Sequence, residues 1–427
     1  MKKKNRGNNL CLYVFLMSVF VLVFLLAWTY LSPNSHKQNN TNATAVAAKD
    51  NTDTTNEVPE STLTPPPKTT LSPEQRLEKQ VETQLKKMSL EEKVAQLFMI
   101  TPEALTGYQT VTSAGSATKQ ALAKYPVGGL IYFAQNIQNP AQLTKLTSHT
   151  QSYAQQQTGL PLFLGIDEEG GAVARIAKNP AFSTKTYENM WSIGATGNSR
   201  NAYKVGTTIG SYLHKYGFNL DFAPDADVLT NPDNQVIGTR SFGSDPKLVA
   251  NMVVQEMKGL EKKQVYACLK HFPGHGGTQG DTHKGYAYTN RTLKQLKKSE
   301  LIPFQRGIQQ SVSFIMVSHI SLPKVTTKDE PASVSKEIIT NLLRNQMGYD
   351  GIVITDAMNM GAITSEYNSA NATVKALKAG ADIILMPQDF KSAYNGVLSA
   401  VRNKELSKKR INQSVRRILR VKLTMQQ

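Results

Sequence analysis

Eight short runs of branched aliphatic residues, separated by helix-like stretches, recur from Glu74 to the end of the chain, and this rhythm leaves few folds open. The runs cover residues 96–101, 128–133, 162–167, 220–224, 267–271, 314–319, 351–356 and 382–386. Each is apolar along its length, as expected of strands in a parallel sheet buried by helices on its faces. Asp167, His271, His319 and Asp356 each stand at the C-terminal end of a run, where the βα loops of a barrel form its mouth. An open doubly wound sheet also gathers polar residues at its strand ends, so the number of runs is what favours a closed (β/α)8 barrel. The fold class expected is therefore α/β, with a single barrel over residues 73–427.

The residues before the barrel read differently. Residues 10–31 contain no charged side chain, and 22 residues at about 1.5 Å each can cross a hydrocarbon core of roughly 30 Å. Lys2, Lys3, Lys4 and Arg6 precede them without an acidic residue, which leaves the short tail 1–9 in the cytoplasm and sends the body out. A transmembrane signal-anchor is expected rather than a cleaved signal peptide. The apolar run is longer than the usual h-region, and no small-x-small site follows it closely. Cleavage would make the protein secreted. Residues 32–72 are rich in Asn, Thr, Ser and Pro and read as a flexible linker with too few large apolar side chains to offset the entropy of ordering.

Charge narrows the partners. The chain carries a net +17 over 427 residues, of which +14 belongs to residues 73–427. For an extracytoplasmic body this argues against nucleic acid and for unspecific attraction to an anionic cell wall or membrane surface. Cys11 and Cys268 are too far apart, and too differently placed, for a disulfide framework or a cysteine zinc site. The closing basic amphipathic segment, with Ile411, Val415, Ile418, Leu419 and Leu423 near helical spacing, reads as an outer helix of the barrel with a solvated face.

Residues 270–283 carry the densest chemistry: Lys270, His271, His275, Asp281 and His283 lie in a Gly-rich loop that begins at a strand end. Asp281 and His283 are two residues apart, so the carboxylate can reach the imidazole and fix its tautomer, which suits His283 to proton donation near neutral pH. A zinc site from His271, His275 and His283 is the competing reading, but no His-Glu-x-x-His helix accompanies it, and glycine and proline keep the three off one helical face. Asp356 ends a buried run and, taken alone, could cap the next helix. IDEEGG at residues 166–171 puts acids at another strand end as metal ligands or hydroxyl-binding groups. Arg240 lies in the Gly-rich GTRSFGSDP, suited to oxygen-rich ligands. No glycine cluster has nucleotide-binding spacing, and no cofactor is called for.

Taken in order, MSLEEK (88–93), IDEEGG, NLDFAP (219–224), GTRSFGSDP, KHFPGHG (270–276) with its Asp-x-His, TDAMNM (355–360), AGAD (379–382) and SVRRIL (414–419) resemble glycoside hydrolase family 3, and within it the NagZ-type β-N-acetylglucosaminidases. The resemblance covers nearly all of residues 78–423. It implies a retaining β-N-acetylhexosaminidase without a metal. Asp356 would be the nucleophile, His283 paired with Asp281 the acid/base, and Asp167, Arg240, Lys270 and His271 the groups that hold the sugar. An imidazole then replaces the usual second carboxylic acid. The implied substrate is a terminal GlcNAc on peptidoglycan fragments, muropeptides or related glycans. Phosphorolysis and a catalytically silent wall-glycan binding module are the alternatives. Two departures stand out: Gly277 where the family usually has Asp, and Ala172 where many members have Arg.

Overall fold

The computed structural model describes residues 71–426. The anchor expected at residues 10–31 and all but the end of the linker lie outside these residues. Among the described residues, no helix is long and apolar enough to cross a membrane. Ser72, the last linker residue, already caps the first helix, Pro73–Lys87, through a reciprocal bond pair with Gln75.

All eight expected runs contain a strand: β1 (Phe98–Ile100), β2 (Gly129–Ile131), β3 (Phe163–Ile166), β4 (Leu220–Asp221), β5 (Tyr266–Phe272), β6 (Phe314–Val317), β7 (Ile352–Thr355) and β8 (Ile384–Leu385). Neighbours pair in parallel in the order β7-β6-β5-β4-β3-β2-β1-β8. A parallel bridge between Ile354 and Ile383 joins the two ends, and Thr355 N–H donates to Ile383 O at 3.0 Å. The sheet is thus a closed barrel.

Its interior is filled by side chains from opposite walls. Phe163 of β3 and Phe314 of β6 meet edge to face at 5.2 Å. Gly165 makes room for the rest, because a Cβ there would stand 2.4 Å from Met99 Cε and 3.1 Å from the Phe222 ring. The last helix, Lys408–Thr424, lies beneath the barrel rather than on its outer wall, contrary to the sequence expectation. Ser414 donates to Asp382 just before β8, Arg417 pairs with Asp350 just before β7, and Lys422 donates to Gln96 ahead of β1 while its ammonium sits 5.0 Å from the Phe163 ring. A helix that spans the N-terminal ends of the strands needs a continuous apolar stripe, and Ile411, Val415, Ile418 and Leu419 supply it.

Candidate active site

At the opposite end, the βα loops enclose a cavity of about 410 Å³. Asp167, Arg240, Lys270, His271, His283 and Asp356 all line it, and Asp281 reaches it through His283. Residues spread over 190 positions of sequence thus meet because they lie at or just beyond the C-terminal ends of β3, β4, β5 and β7 of one barrel. Lys270 and His271 fall where the β5–β6 ladder skips between Leu269 and Phe272.

A buried carboxylate organises the floor. Glu169 accepts Arg240 Nε at 2.9 Å and Nη2 at 2.7 Å, and Lys270 Nζ at 2.6 Å. Lys270 also donates to Asp167 Oδ1 at 2.8 Å. Burial alone would raise the Glu169 carboxyl, but the two cations hold it well below the usual range. Burial would likewise strip the Lys270 proton, and Asp167 and Glu169 outweigh it. Such buried pairs add little net stability, but they fix charged groups in place before a ligand arrives. Of the three N–H bonds of Lys270, two are engaged within the protein, which leaves one for a ligand.

Behind Lys270, His271 Nδ1 lies 2.7 Å from Asp227 Oδ2 and Nε2 lies 3.3 Å from Arg240 Nη2. A guanidinium only donates, so Nε2 accepts and the proton sits on Nδ1. Burial, then the Arg240 charge, pushes the His271 pKa down to about 4, so the ring is neutral near pH 7. Asp225 is buried beside it with its carboxyl raised, first by burial and then by Asp227. Asp225, Asp227 and His271 bring donor atoms within 4.8 Å of one another. Arg240 Nη2, 3.6 Å from Asp225, already supplies the positive charge that a metal ion would bring there. Of the three histidines considered for zinc, only His271 is in this group. His275 turns its Nδ1 to Thr278 Oγ1 at 2.8 Å, and His283 turns its own to Asp281.

Asp356 follows β7 half-buried. Its Oδ1 accepts the Ala357 N–H at 2.8 Å, and its Oδ2 takes no hydrogen bond from the described residues. Burial would raise this carboxyl, yet His319, His271, the Ala357 N–H and Lys270 together hold it below its ordinary value. Because His271 is neutral near pH 7 and burial lowers His319 as well, the Ala357 N–H and the Lys270 ammonium are the more durable supports there. The Asp281/His283 pair forms with Oδ1 2.8 Å from the ring Nδ1 and 3.0 Å from the His283 backbone N. Burial raises Asp281, and the two His283 hydrogen bonds with the nearby His283 and Lys284 charges together outweigh it and lower its pKa. The His283 ring is 63% exposed, so its other nitrogen is open to the cavity. The loop is seated by Ala362 N–H on Thr282 O at 3.1 Å and Gly361 N–H on His283 O at 3.2 Å.

Several residues here escaped the sequence reading. Glu168, one of the acids of IDEEGG, is engaged inside the protein rather than by a ligand: it accepts the backbone N–H groups of Arg175, Ile176 and Ala177 and the Tyr212 hydroxyl. That fixes Arg175, whose Nη2 stands 3.7 Å from Asp167 and whose guanidinium lies 5.7 Å from the Phe133 ring. Arg175, three residues after Ala172, brings a guanidinium to the cavity. Asp225 and Asp227, in Pro-Asp-Ala-Asp right after β4, offered a signal: two more acids at a strand end. At Gly277 a Cβ would stand 2.6 Å from Thr230 Oγ1 and 2.9 Å from Glu300 Oε1, so that space is already taken.

Residues 89–421 match the Glycosyl hydrolase family 3 N terminal domain. The chain belongs to glycosyl hydrolase family 3. Among curated relatives of this family member, beta-hexosaminidase A of Pseudoalteromonas piscicida is 37% identical over 332 residues, covering 72% of this chain and 55% of the relative. Beta-hexosaminidase LpqI of Mycobacterium tuberculosis is 32% identical over 346 residues, covering 78% and 83%. The family 3 beta-N-acetylglucosaminidase structure from Paenibacillus sp. FPU-7 superposes with a TM-score of 0.74 at 35% identity, over 80% of this chain and 64% of that one. The chain thus spans little more than half of the Pseudoalteromonas protein and under two thirds of the Paenibacillus one.

Proposed function

We propose that the protein is an exo-acting retaining β-N-acetylhexosaminidase that removes terminal β-linked GlcNAc from peptidoglycan fragments or related glycans. The observation that carries this reading is the pairing, in one cavity, of a carboxylate with a free oxygen, Asp356, and an exposed imidazole oriented by a carboxylate, His283. The names of the Pseudoalteromonas and Mycobacterium relatives and of the Paenibacillus structure support the substrate class.

Asp356 Oδ2 attacks the anomeric carbon as the glycosidic C–O bond breaks, and the His283 imidazolium gives its Nε2 proton to the leaving oxygen. A covalent glycosyl-enzyme results. Water then attacks the same carbon, the neutral His283 ring takes its proton, and the Asp356 carboxylate leaves. Asp281 keeps the Nδ1 proton in place throughout, so the exchange occurs at Nε2. Asp167, Lys270, His271 and Arg240 hold the sugar hydroxyls or position the groups that do.

The test is release of nitrophenol from an aryl β-GlcNAc. Asp356→Ala and His283→Ala are each expected to lose at least about a hundredfold in kcat/KM. A wild type that binds glycan but never cleaves it would instead mark a silent binding module. Because an imidazole does not repel phosphate as a carboxylate would, products are compared in phosphate and non-phosphate buffer, and GlcNAc 1-phosphate would mark a phosphorylase. The proposal includes an extracytoplasmic body anchored by residues 10–31, which the mass of the mature protein in membrane and medium fractions checks.

A further inference from the structure

Among the described residues, four large apolar or aromatic side chains are exposed: Leu71, Tyr108, Trp191 and Tyr286. Tyr286 differs from an ordinary surface tyrosine in being immobilised at both ends. The residue is 56% exposed, and its ring stacks on Tyr288 with centroids 5.5 Å apart and planes 27° apart. Its hydroxyl donates to the Asp329 carboxylate, with oxygens at 2.9 and 3.0 Å, on the loop after β6. Tyr288 is fixed in turn. It exchanges both backbone bonds with Gln279, at 2.9 and 3.0 Å, and its hydroxyl donates to Gln279 Oε1 at 2.8 Å.

Holding an exposed ring in one orientation costs side-chain entropy and buries little of it. What it provides is a flat apolar face ready for a ligand. The place of that face is informative. Tyr286 is three residues beyond His283 on the same loop, yet neither tyrosine lines the cavity that would hold the cleaved sugar. His283, as the acid, must face the leaving oxygen, so the chain just past it borders the leaving group. A β-linked pyranose carries its axial C–H bonds on its faces and its hydroxyls around its rim, which suits it to lie on an aromatic ring.

We propose that Tyr286, backed by Tyr288 and pinned by Asp329, is the platform on which the leaving-group sugar lies. This rests on the hydrolase reading above and adds to it the residue that receives the aglycone.

The experiment compares kcat/KM for chitobiose with kcat/KM for methyl β-GlcNAc, whose aglycone is too small to reach the platform. Tyr286→Ala is expected to lower the ratio of the two by about tenfold, the size of one good stacking contact. Tyr286→Phe keeps the ring and loses the Asp329 bond, and is expected to hold the ratio within about twofold of wild type. An unmoved ratio in Tyr286→Ala, or an equal fall in both variants, overturns the platform. Wild type inactive on both glycosides overturns the hydrolase reading and this assignment with it.

Discussion

Asp227 binds two histidines at once: Oδ2 lies 2.7 Å from the His271 ring Nδ1, and Oδ1 takes the His275 backbone N–H at 2.5 Å. One buried carboxylate therefore sets both the tautomer of His271 and the path of the loop that leads to His283. Asp227→Ala leaves both donors buried without a partner, and the expected loss of stability is about 2–4 kcal/mol in urea unfolding. Loss of the His271 tautomer should also cut kcat/KM for an aryl β-GlcNAc at least about tenfold. A variant as stable as wild type would mean that water satisfies these donors at no cost.

The strands were legible in the sequence because their environment is uniform. A strand covered on both faces must be apolar throughout, so residues 314–317 or 352–355 stand out without knowledge of their neighbours. The residues at strand ends were legible for the same reason, as polar side chains interrupting such runs. The supporting carboxylates were harder. Glu169 matters because Arg240 and Lys270, 71 and 101 positions away, arrive beside it, and nothing in the local pattern of IDEEGG separates an acid that binds ligand from one that holds cations. The closing helix failed differently, since an amphipathic stripe records that one face is buried, not whether barrel wall or base buries it.

Gly361 is the seat of the acid/base loop, and its missing side chain has a use. A Cβ on this residue would stand 2.8 Å from His283 O and 2.8 Å from Lys284 C, against backbone that cannot rotate away. Gly361→Ala should push the loop off its two bonds to the helix that starts there and shift His283 relative to Asp356. The expected result is a fall of about ten- to a hundredfold in kcat/KM. Because Gly361 is only half-buried, the thermal midpoint should move by no more than a few degrees. A fall in midpoint without a fall in activity would assign Gly361 to folding instead.

Beneath the floor, Glu256 on helix Pro246–Glu261 is buried with neither carboxyl oxygen hydrogen-bonded, and Asp221 Oδ2 nearby is also unpartnered. Burial, followed by the neighbouring Asp221, raises the Glu256 pKa well above its ordinary value of 4.5. The folded protein therefore keeps a proton there that the unfolded chain gives up. Stability from this group is fully present below the ordinary carboxylate range and declines as pH rises through it toward the raised pKa. Glu256→Gln has the same shape and does not titrate. It should match wild type closely at pH 4 and become progressively the more stable protein toward pH 8, read as a widening gap in urea midpoints. A gap that stays constant across that range would show that Glu256 is already ionised in the fold, with its charge balanced by Lys270 after all.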